Sequence, residues 1–226
     1  MRFAKEVAAF VLSFVLIGPA PAQDDIQNLS SSSDAAGAQK VLLEAAKDLH
    51  NLRSNPRFAD LLQKAKGVLI VPYNVKGSLA FGGSGGTGVL VAHANGQWSN
   101  PAFVTIGSFS FGLQFGWYAG PLFLFAMTDK ALADLTKTSN IYFWGNAGVV
   151  LYSWAPNAHW PISEGGLVVW TGENGVFGGL FVGGSDTHDK TVYNKAYYNN
   201  KYTDAKQIIG SRGDPDASPL LNEFPG

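Results

Sequence analysis

Cysteine is absent from this chain of 226 residues, and charged side chains are few. Without cysteine the chain has no disulfide, no thiol nucleophile and no cysteine to carry a lipid anchor. Charged residues make up 15% of the sequence, against roughly 25% in ordinary globular domains, while aromatic residues reach 13%. A surface with so little charge suits contact with lipid or with another protein. It equally suits a glycine-rich, aromatic β protein, and composition leaves both alternatives open.

Carboxylates are missing from one long interval, since no aspartate or glutamate occurs between Asp60 and Asp129. Lys64, Lys66 and Lys76 stand inside it with only uncharged neighbours in sequence. A glycine-dense run follows these lysines and contains Gly82, Gly83, Gly85 and Gly86. Lysines beside a turn whose backbone N–H groups point outward together can hold a lipid phosphate. The alternative is that the three lysines only keep an apolar region soluble.

An apolar run near the start of the chain is too short to span a membrane. It covers residues 7–17, behind a basic start and ahead of the small-residue sequence Ala-Pro-Ala at 20–22. A membrane span needs about 20 residues, and this order is typical of a secretory signal peptide. We therefore expect residues 1–22 to be removed. The mature protein would begin at Gln23, be exported to the periplasm or the extracellular space, and lie peripherally at a membrane.

No motif of the sequence predicts catalysis, a metal site or a cofactor. Gly83, Gly85 and Gly88 formally satisfy GxGxxG, but a strand-like VLVAH follows where a nucleotide site needs a helix. The glycines instead fit a tight hairpin. The histidines lack the paired spacing of zinc ligands, and the sequence DTHD at 186–189 predicts a polar turn before a helix. We expect neither an enzyme nor a partner nucleic acid.

The spacing of apolar residues predicts one α+β domain over residues 38–210, between a flexible leader at 23–37 and a flexible tail at 211–226. Two N-terminal helices are expected, the second capped by Asn55 with Pro56 at its first position. A curved, mostly antiparallel sheet or barrel-like core follows, with short helices near the C-terminus. Strands are predicted at residues 68–71, 77–81, 87–92, 102–106, 122–127, 149–154, 167–170 and 176–182, with a helix at 129–137.

The first helix carries a one-sided apolar stripe, formed in part by Val41, Leu42, Leu49 and Leu52. Such a stripe can lie in a membrane interface and add apolar insertion to electrostatic binding. It can also pack on the domain's own sheet, and periodicity alone does not separate these alternatives.

Several motifs occur together in an order that resembles the SYLF domain, a lipid-binding family. They are the AKG before the strand ending in Pro72, Lys76-Gly77, the GGSGGTG run, WSNPAF at 98–103, GLQFG at 112–116, MTDKAL at 127–132, GVFGGLFVGGS at 175–185 and YNKAYYNNKYTDAKQII at 193–209. The resemblance covers nearly all of the chain after residue 22. It implies association with phospholipid, and for some eukaryotic members with phosphoinositides and actin filaments, and it does not imply an enzyme. Trp98 matches a family hallmark, and we interpret it as an anchor in the core.

Composition, the carboxylate-free interval and the resemblance together predict peripheral binding of anionic phospholipid or phosphoinositide-type head groups. The alternative is an envelope or extracellular protein-interaction module with no lipid specificity. With an export signal predicted ahead of the domain, actin is not expected as a partner. Salt separates the two hypotheses, because binding through lysines weakens as salt rises whereas aromatic protein contact tolerates it.

Overall fold

The computed structural model describes residues 23–72, 86–107, 121–136, 139–143, 149–152, 166–171 and 183–225. The helices within these ranges are α1 Gln23–Leu52, α2 Pro56–Lys64, α3 Asp129–Leu135, α4 Thr191–Tyr197, α5 Ala205–Ile209 and α6 Ser218–Leu221, with a 3-10 turn at Pro215–Ala217. The strands are β1 Gly67–Val71, β2 Gly86–Ala94, β3 Gln97–Trp98, β4 Ala102–Gly107, β5 Leu122–Ala126, β6 Ser139–Phe143, β7 Val149–Tyr152, β8 Leu167–Thr171 and β9 Gly183–Asp189. The predicted strands at 77–81 and 176–182 lie outside the described residues.

The strands form one sheet in the order β6-β9-β4-β2-β1-β5-β8-β7, with the short β3 paired to β2. Neighbours are antiparallel except for β7 and β8, which run parallel. Over the described strands β6 and β7 lie at opposite ends of this order, so the sheet is open and the barrel-like alternative is not what forms. The α+β class and the mostly antiparallel sheet are confirmed.

Both faces of the central strands β1, β2 and β5 are buried, which explains why these strands are almost entirely apolar. In β5 all five residues of LFLFA are buried. Phe123 and Phe125 point to the face covered by α1, α2 and the C-terminal α6. Leu122 and Leu124 point to the other face, where α3 and α5 pack. Because successive side chains alternate between faces, a strand between two helical layers must be apolar at every position.

The start of α2 follows the sequence prediction. The Asn55 side chain accepts hydrogen bonds from the backbone N–H groups of Arg57 and Phe58, and Pro56 occupies the first helical turn. This cap aims Phe58 into the core, where its ring meets Phe123 edge-on at a centroid distance of 4.9 Å. Local chemistry thus fixes the helix start, and burial of one aromatic ring fixes its orientation.

The glycine-rich entry to β2 requires close backbone approach. A Cβ at Gly88 would run into the carbonyl oxygen of Ile70 on the paired strand and the side chain of Val71. β2 continues from Gly86 as a strand and not as a helix, which agrees with the hairpin interpretation over a nucleotide-binding one.

Three predictions of local structure need correction. The segment predicted as a flexible leader, residues 23–37, is the first half of α1. Gly37 lies directly against the Tyr193 hydroxyl of α4, and Ala38 is fully buried, so packing supplies the stability that the polar composition does not indicate.

The second correction concerns the sequence DTHD at 186–189, predicted as a turn. It forms the end of strand β9, because pairing with β4 and β6 outweighs its turn propensity.

The third correction concerns residues 211–226, predicted as a flexible tail. Within the described part, to residue 225, three apolar side chains of this segment are buried: Ala217, Leu220 and Phe224. Leu220 and Phe224 belong to the same core as α1 and α2. The segment is therefore part of the folded domain. Its packing partners in α1 and α2 are too distant in sequence for local composition to indicate them.

Candidate functional site

The structure describes three members of the predicted basic site, Lys64, Lys66 and Gly86. The Lys64 ammonium lies 2.7 Å from the Asp60 carboxylate, one helical turn earlier in α2. The neighbours of Lys64 in sequence are uncharged, but Asp60, at the border of the carboxylate-free interval, offsets its charge in the folded chain. Lys66 is exposed, and its backbone N–H and carbonyl bond Ala126 and His93 at the start of β1.

The other members of that site lie elsewhere or outside the described residues. Lys76, Gly82, Gly83 and Gly85 fall in the segment 73–85, which the structure does not describe. Gly86 pairs with Ile106, whereas Gly67, next to Lys66, pairs with Ala92. His93, whose N–H bonds the Lys66 carbonyl, is seven residues from Gly86 along β2, so Lys66 and Gly86 lie about 23 Å apart along the strands.

The predicted membrane-insertion stripe is part of the core. Val41, Leu42 and Leu49 are fully buried against the sheet, and Leu52 is partly buried against the same cluster. Insertion of these side chains into a membrane would require α1 to leave the sheet. The alternative that the stripe packs on its own domain is the one that forms.

The WSNPAF segment, Trp98–Phe103, binds the C-terminal part of the chain. Trp98 is buried as interpreted, with its Nε1–H donating to the carbonyl of Pro225 at 3.0 Å and its ring 4.3 Å from that of Phe224. The Asn100 side chain donates to the Ser211 hydroxyl at 2.9 Å and accepts from the Asp214 backbone N–H at 3.0 Å. One short segment thus holds three points of the chain more than 100 residues away.

Two residues of α4 and its end complete this clamp, and sequence reasoning missed both. The fully buried Asn194 accepts from the Phe103 backbone N–H at 2.8 Å and donates to the Phe103 carbonyl at 3.0 Å. Its amide therefore pairs with the edge of β4 as a neighbouring strand would. The Tyr198 hydroxyl donates to the Pro101 carbonyl at 2.7 Å, and burial raises the pKa of Tyr198 well above its ordinary range. No local pattern marks these residues, because their partners lie 91 and 97 residues away.

An open groove of about 680 Å³ lies where the end of α1, α2 and the C-terminus meet. The Glu223 carboxylate forms its charged wall, 3.0 Å from both His50 Nδ1 and Arg53 Nη1. This carboxylate is already paired, and its partners are exposed. It anchors the C-terminal segment and is not free to act as a general base.

Exposed lysines form the most prominent chemical feature of the described surface. Five exposed lysines and the half-buried Lys190 have no carboxylate oxygen within 4.0 Å among the described residues. The exposed ones are Lys40, Lys66, Lys195, Lys201 and Lys206. In the same part of the chain, no three His, Asp or Glu side chains are close enough together to hold a metal ion. None of the described helices combines the length and the apolar composition that crossing a membrane requires.

Comparison with known proteins identifies the family. The sequence model of the Ysc84 family, described as "Las17-binding protein actin regulator", matches residues 107–224, more than half of the chain. The chain therefore belongs to this family, whose SYLF domain its motifs resemble.

Particular relatives are similar at low identity. LAS seventeen-binding protein 3 of Saccharomyces cerevisiae is 27% identical over 170 residues, which is 72% of this chain and 37% of that protein. Protein YSC84 of the same yeast is 27% identical over 169 residues, or 71% of this chain and 36% of that protein. SH3 domain-containing YSC84-like protein 1 of Homo sapiens is 25% identical over 144 residues, or 62% of this chain and 42% of that protein. The chain spans well under two thirds of the length of these relatives.

Proposed function

We propose that this domain binds anionic phospholipid head groups at a membrane surface, without catalysing a reaction. The observation that carries the proposal is the set of exposed lysines that have no carboxylate partner among the described residues. An ammonium group that is not neutralised within the protein is available to a phosphate. Each lysine close to an anionic bilayer contributes about 1 kcal/mol, so several acting together give useful but salt-sensitive attachment.

The proposed attachment is electrostatic and reversible. The apolar stripe of α1 is occupied by the core, and it adds no insertion while α1 stays docked. A domain bound in this way leaves the membrane when salt screens its lysines, because the Debye length falls to about 3 Å at 1 M salt.

The test is flotation of the full chain with vesicles of phosphatidylcholine alone and with phosphatidylglycerol or a phosphoinositide added. We expect flotation only with the anionic vesicles, and its loss at high salt. Equal flotation with all vesicles, or none with any, would remove the proposal.

The sequence-predicted lysines can be compared within the same assay. Lys66→Glu changes a lysine with no carboxylate partner among the described residues, Lys76→Glu changes one that lies outside them, and Lys64→Glu changes one that Asp60 already offsets. If the predicted site contributes, the first two changes weaken flotation more than the third does.

A second candidate is a protein-interaction module, favoured by the description of the family and by the name of one yeast relative, which refer to binding of Las17 and of LAS seventeen. Protein contact through aromatic and apolar surface would tolerate salt and ignore vesicle composition. Salt-resistant capture of a single envelope protein, together with failure to float, would favour this candidate.

We further propose that the protein is exported after removal of residues 1–22, so that actin is not among its partners. Fractionation of the native host, with determination of the N-terminal residue of the mature chain, tests this. A cytosolic protein that keeps its first 22 residues would contradict it, and co-sedimentation with actin filaments would then be the next measurement.

A further inference from the structure

Four of the unpaired lysines occur within one short segment that follows strand β9. Lys190, Lys195, Lys201 and Lys206 fall at the start of α4, in its last turn, in the following turn and in the first turn of α5. Lys190 is half-buried, and the other three are exposed. The lysines predicted from sequence lie near β1 and do not include this group.

The fold brings the backbone segments that carry these lysines together in two places. The Asp189 carboxylate accepts the Ala205 backbone N–H at 2.7 Å, so the next residues in the chain, Lys190 and Lys206, start from neighbouring backbone positions. The Asn200 backbone N–H bonds the Lys195 carbonyl at 2.7 Å, and this sets the turn carrying Lys201 against the end of α4. The turn is possible because Asn199 and Asn200 take positive φ angles of 50° and 63°, which asparagine tolerates better than most residues.

The carboxylates around this group are directed at backbone N–H groups. Asp204 accepts from the Gln207 N–H at 2.9 Å, and Asp214 accepts from the Asp216 N–H at 2.9 Å. With Asp189 capping Ala205, each of these three acids satisfies a donor at the start of a helix or turn. Among the described residues, neither Asp204 nor Asp214 forms an ion pair with any of the four lysines.

Tyrosine rings and one exposed aliphatic side chain lie among the lysines. The Lys190 ammonium is 5.0 Å from the centroid of the Tyr193 ring, and that of Lys201 is 5.1 Å from the Tyr202 ring. Val192 is 49% exposed. It stands three residues before Lys195, so the two share the solvent face of α4. Aromatic rings and aliphatic groups beside cations are typical of surfaces that meet the head-group region of a bilayer.

From this geometry we propose that the α4–α5 surface, residues 190–206, is the face with which the domain meets an anionic bilayer. The inference rests on the proposed lipid-binding function and names the surface that performs it. The four lysines contact lipid phosphates, and Val192 points toward the boundary between head groups and acyl chains. The core, α1 included, stays packed on binding.

The first test is charge reversal with a matched control. The test variant carries Lys195→Glu, Lys201→Glu and Lys206→Glu. The control carries Lys40→Glu, Lys47→Glu and Lys130→Glu, three exposed lysines on α1 and α3 that give the same change in net charge. Flotation with phosphatidylcholine and phosphatidylglycerol vesicles is measured as a partition coefficient. Since each lysine contributes roughly a factor of five, we expect the test variant to lose on the order of 100-fold and the control to lose far less.

The outcomes separate the inference from the proposed function. If the wild type floats and both variants float equally well or equally poorly, the inference fails while lipid binding stands. If the wild type floats on no vesicle, the proposed function fails and the inference with it. Circular dichroism checks folding, and should the test variant not fold, the same three positions changed to Gln supply the comparison.

The second test uses the absence of cysteine. Val192→Cys and Leu43→Cys each introduce a single labelling site, at positions 49% and 47% exposed on different helices. With an environment-sensitive dye, phosphatidylglycerol vesicles should shift the emission to the blue at position 192 and leave it unchanged at position 43. A shift at position 43 alone would overturn the inference and indicate that α1 faces the membrane.

Discussion

At the residue scale, a few buried polar side chains make hydrogen bonds to the backbone of β4 and of the segment before it, where no strand supplies them. The Asn194 amide exchanges two hydrogen bonds with Phe103 at the edge of β4, and the Tyr198 hydroxyl supplies a donor to the Pro101 carbonyl. Proline has no backbone N–H and therefore interrupts the hydrogen bonding between strands. At Pro101 a side chain, that of Tyr198, supplies the hydrogen bond to the backbone carbonyl. Most residues of the WSNPAF segment therefore have a structural contact within the chain itself. This explains why the segment is recognisable in sequence without being a ligand-binding site.

Two adjacent tyrosines give the first prediction at this scale. Tyr198→Phe removes the donor to the buried Pro101 carbonyl, and we expect it to lower the free energy of unfolding by about 1 kcal/mol. Tyr197→Phe should change stability by much less or raise it, because the Tyr197 hydroxyl is buried with no hydrogen-bond partner among the described residues and its removal ends a desolvation cost. Urea denaturation of both variants measures the difference. Equal losses at the two positions would contradict a stabilising role for the Tyr198 hydrogen bond.

At the element scale, helices and strands determined by their own residues could be predicted from the sequence, whereas those stabilised by contacts distant in the chain could not. Asn55 and Pro56 define the start of α2 by themselves, and the apolar run of β5 defines a buried strand. The first half of α1 has the polar composition of a flexible leader. Its stabilising contact, Gly37 against Tyr193, comes from a residue 156 positions further along the chain, so local composition does not indicate it. The site shows the same division. The Asp60–Lys64 ion pair is a local i,i+4 contact on α2, whereas only the folded chain brings the segments that carry Lys190 and Lys206 side by side.

The docking of α1 should depend on pH through Asp48. Partial burial first, and then the neighbouring Glu44, raise the pKa of Asp48 to about 6, with Lys47 opposing. The usual value is about 4, so the folded state holds this proton more tightly than the unfolded one does. The contribution of Asp48 to stability is therefore full below about pH 4 and is lost as pH rises through about 6.

Asp48→Asn should consequently raise the free energy of unfolding at pH 7 by roughly 1 kcal/mol, and change it little at pH 4. The gain is below the roughly 3 kcal/mol of the full shift, because the side chain is partly exposed. Urea midpoints of the wild type and the variant at both pH values measure it. Glu44→Gln should produce a smaller gain in the same direction, and a loss of stability at pH 7 in Asp48→Asn would contradict the assignment.

At the scale of the whole molecule, the C-terminal segment joins the two helical layers into one cooperative unit. Residues after Thr191 reach both faces of the sheet, with Leu220 and Phe224 on the α1 side and Ala205 and Ile208 on the other. The surface proposed to meet the bilayer is part of this same segment. Its lysines are consequently held on a frame that the WSNPAF segment fixes, which is the arrangement that a rigid, charge-based binding face requires.

Deletion of residues 211–226 tests this organisation, because the two descriptions of the segment predict opposite results. A flexible tail would leave stability unchanged. The structure instead predicts a loss of several kcal/mol, since truncation of a single buried Phe such as Phe224 already costs about 3 kcal/mol and the partners of Trp98 and Asn100 disappear as well. Urea denaturation of the shortened chain measures the loss.

Two single variants separate the contributions. Phe224→Ala isolates the packing part, and Asp216→Ala, an exposed change in the same segment, is the control expected to stay within about 0.5 kcal/mol of the wild type. If the shortened chain unfolds at the same urea concentration as the wild type, the frame beneath the lysine surface does not depend on this segment, and the clamp formed by Trp98–Phe103 has a different role.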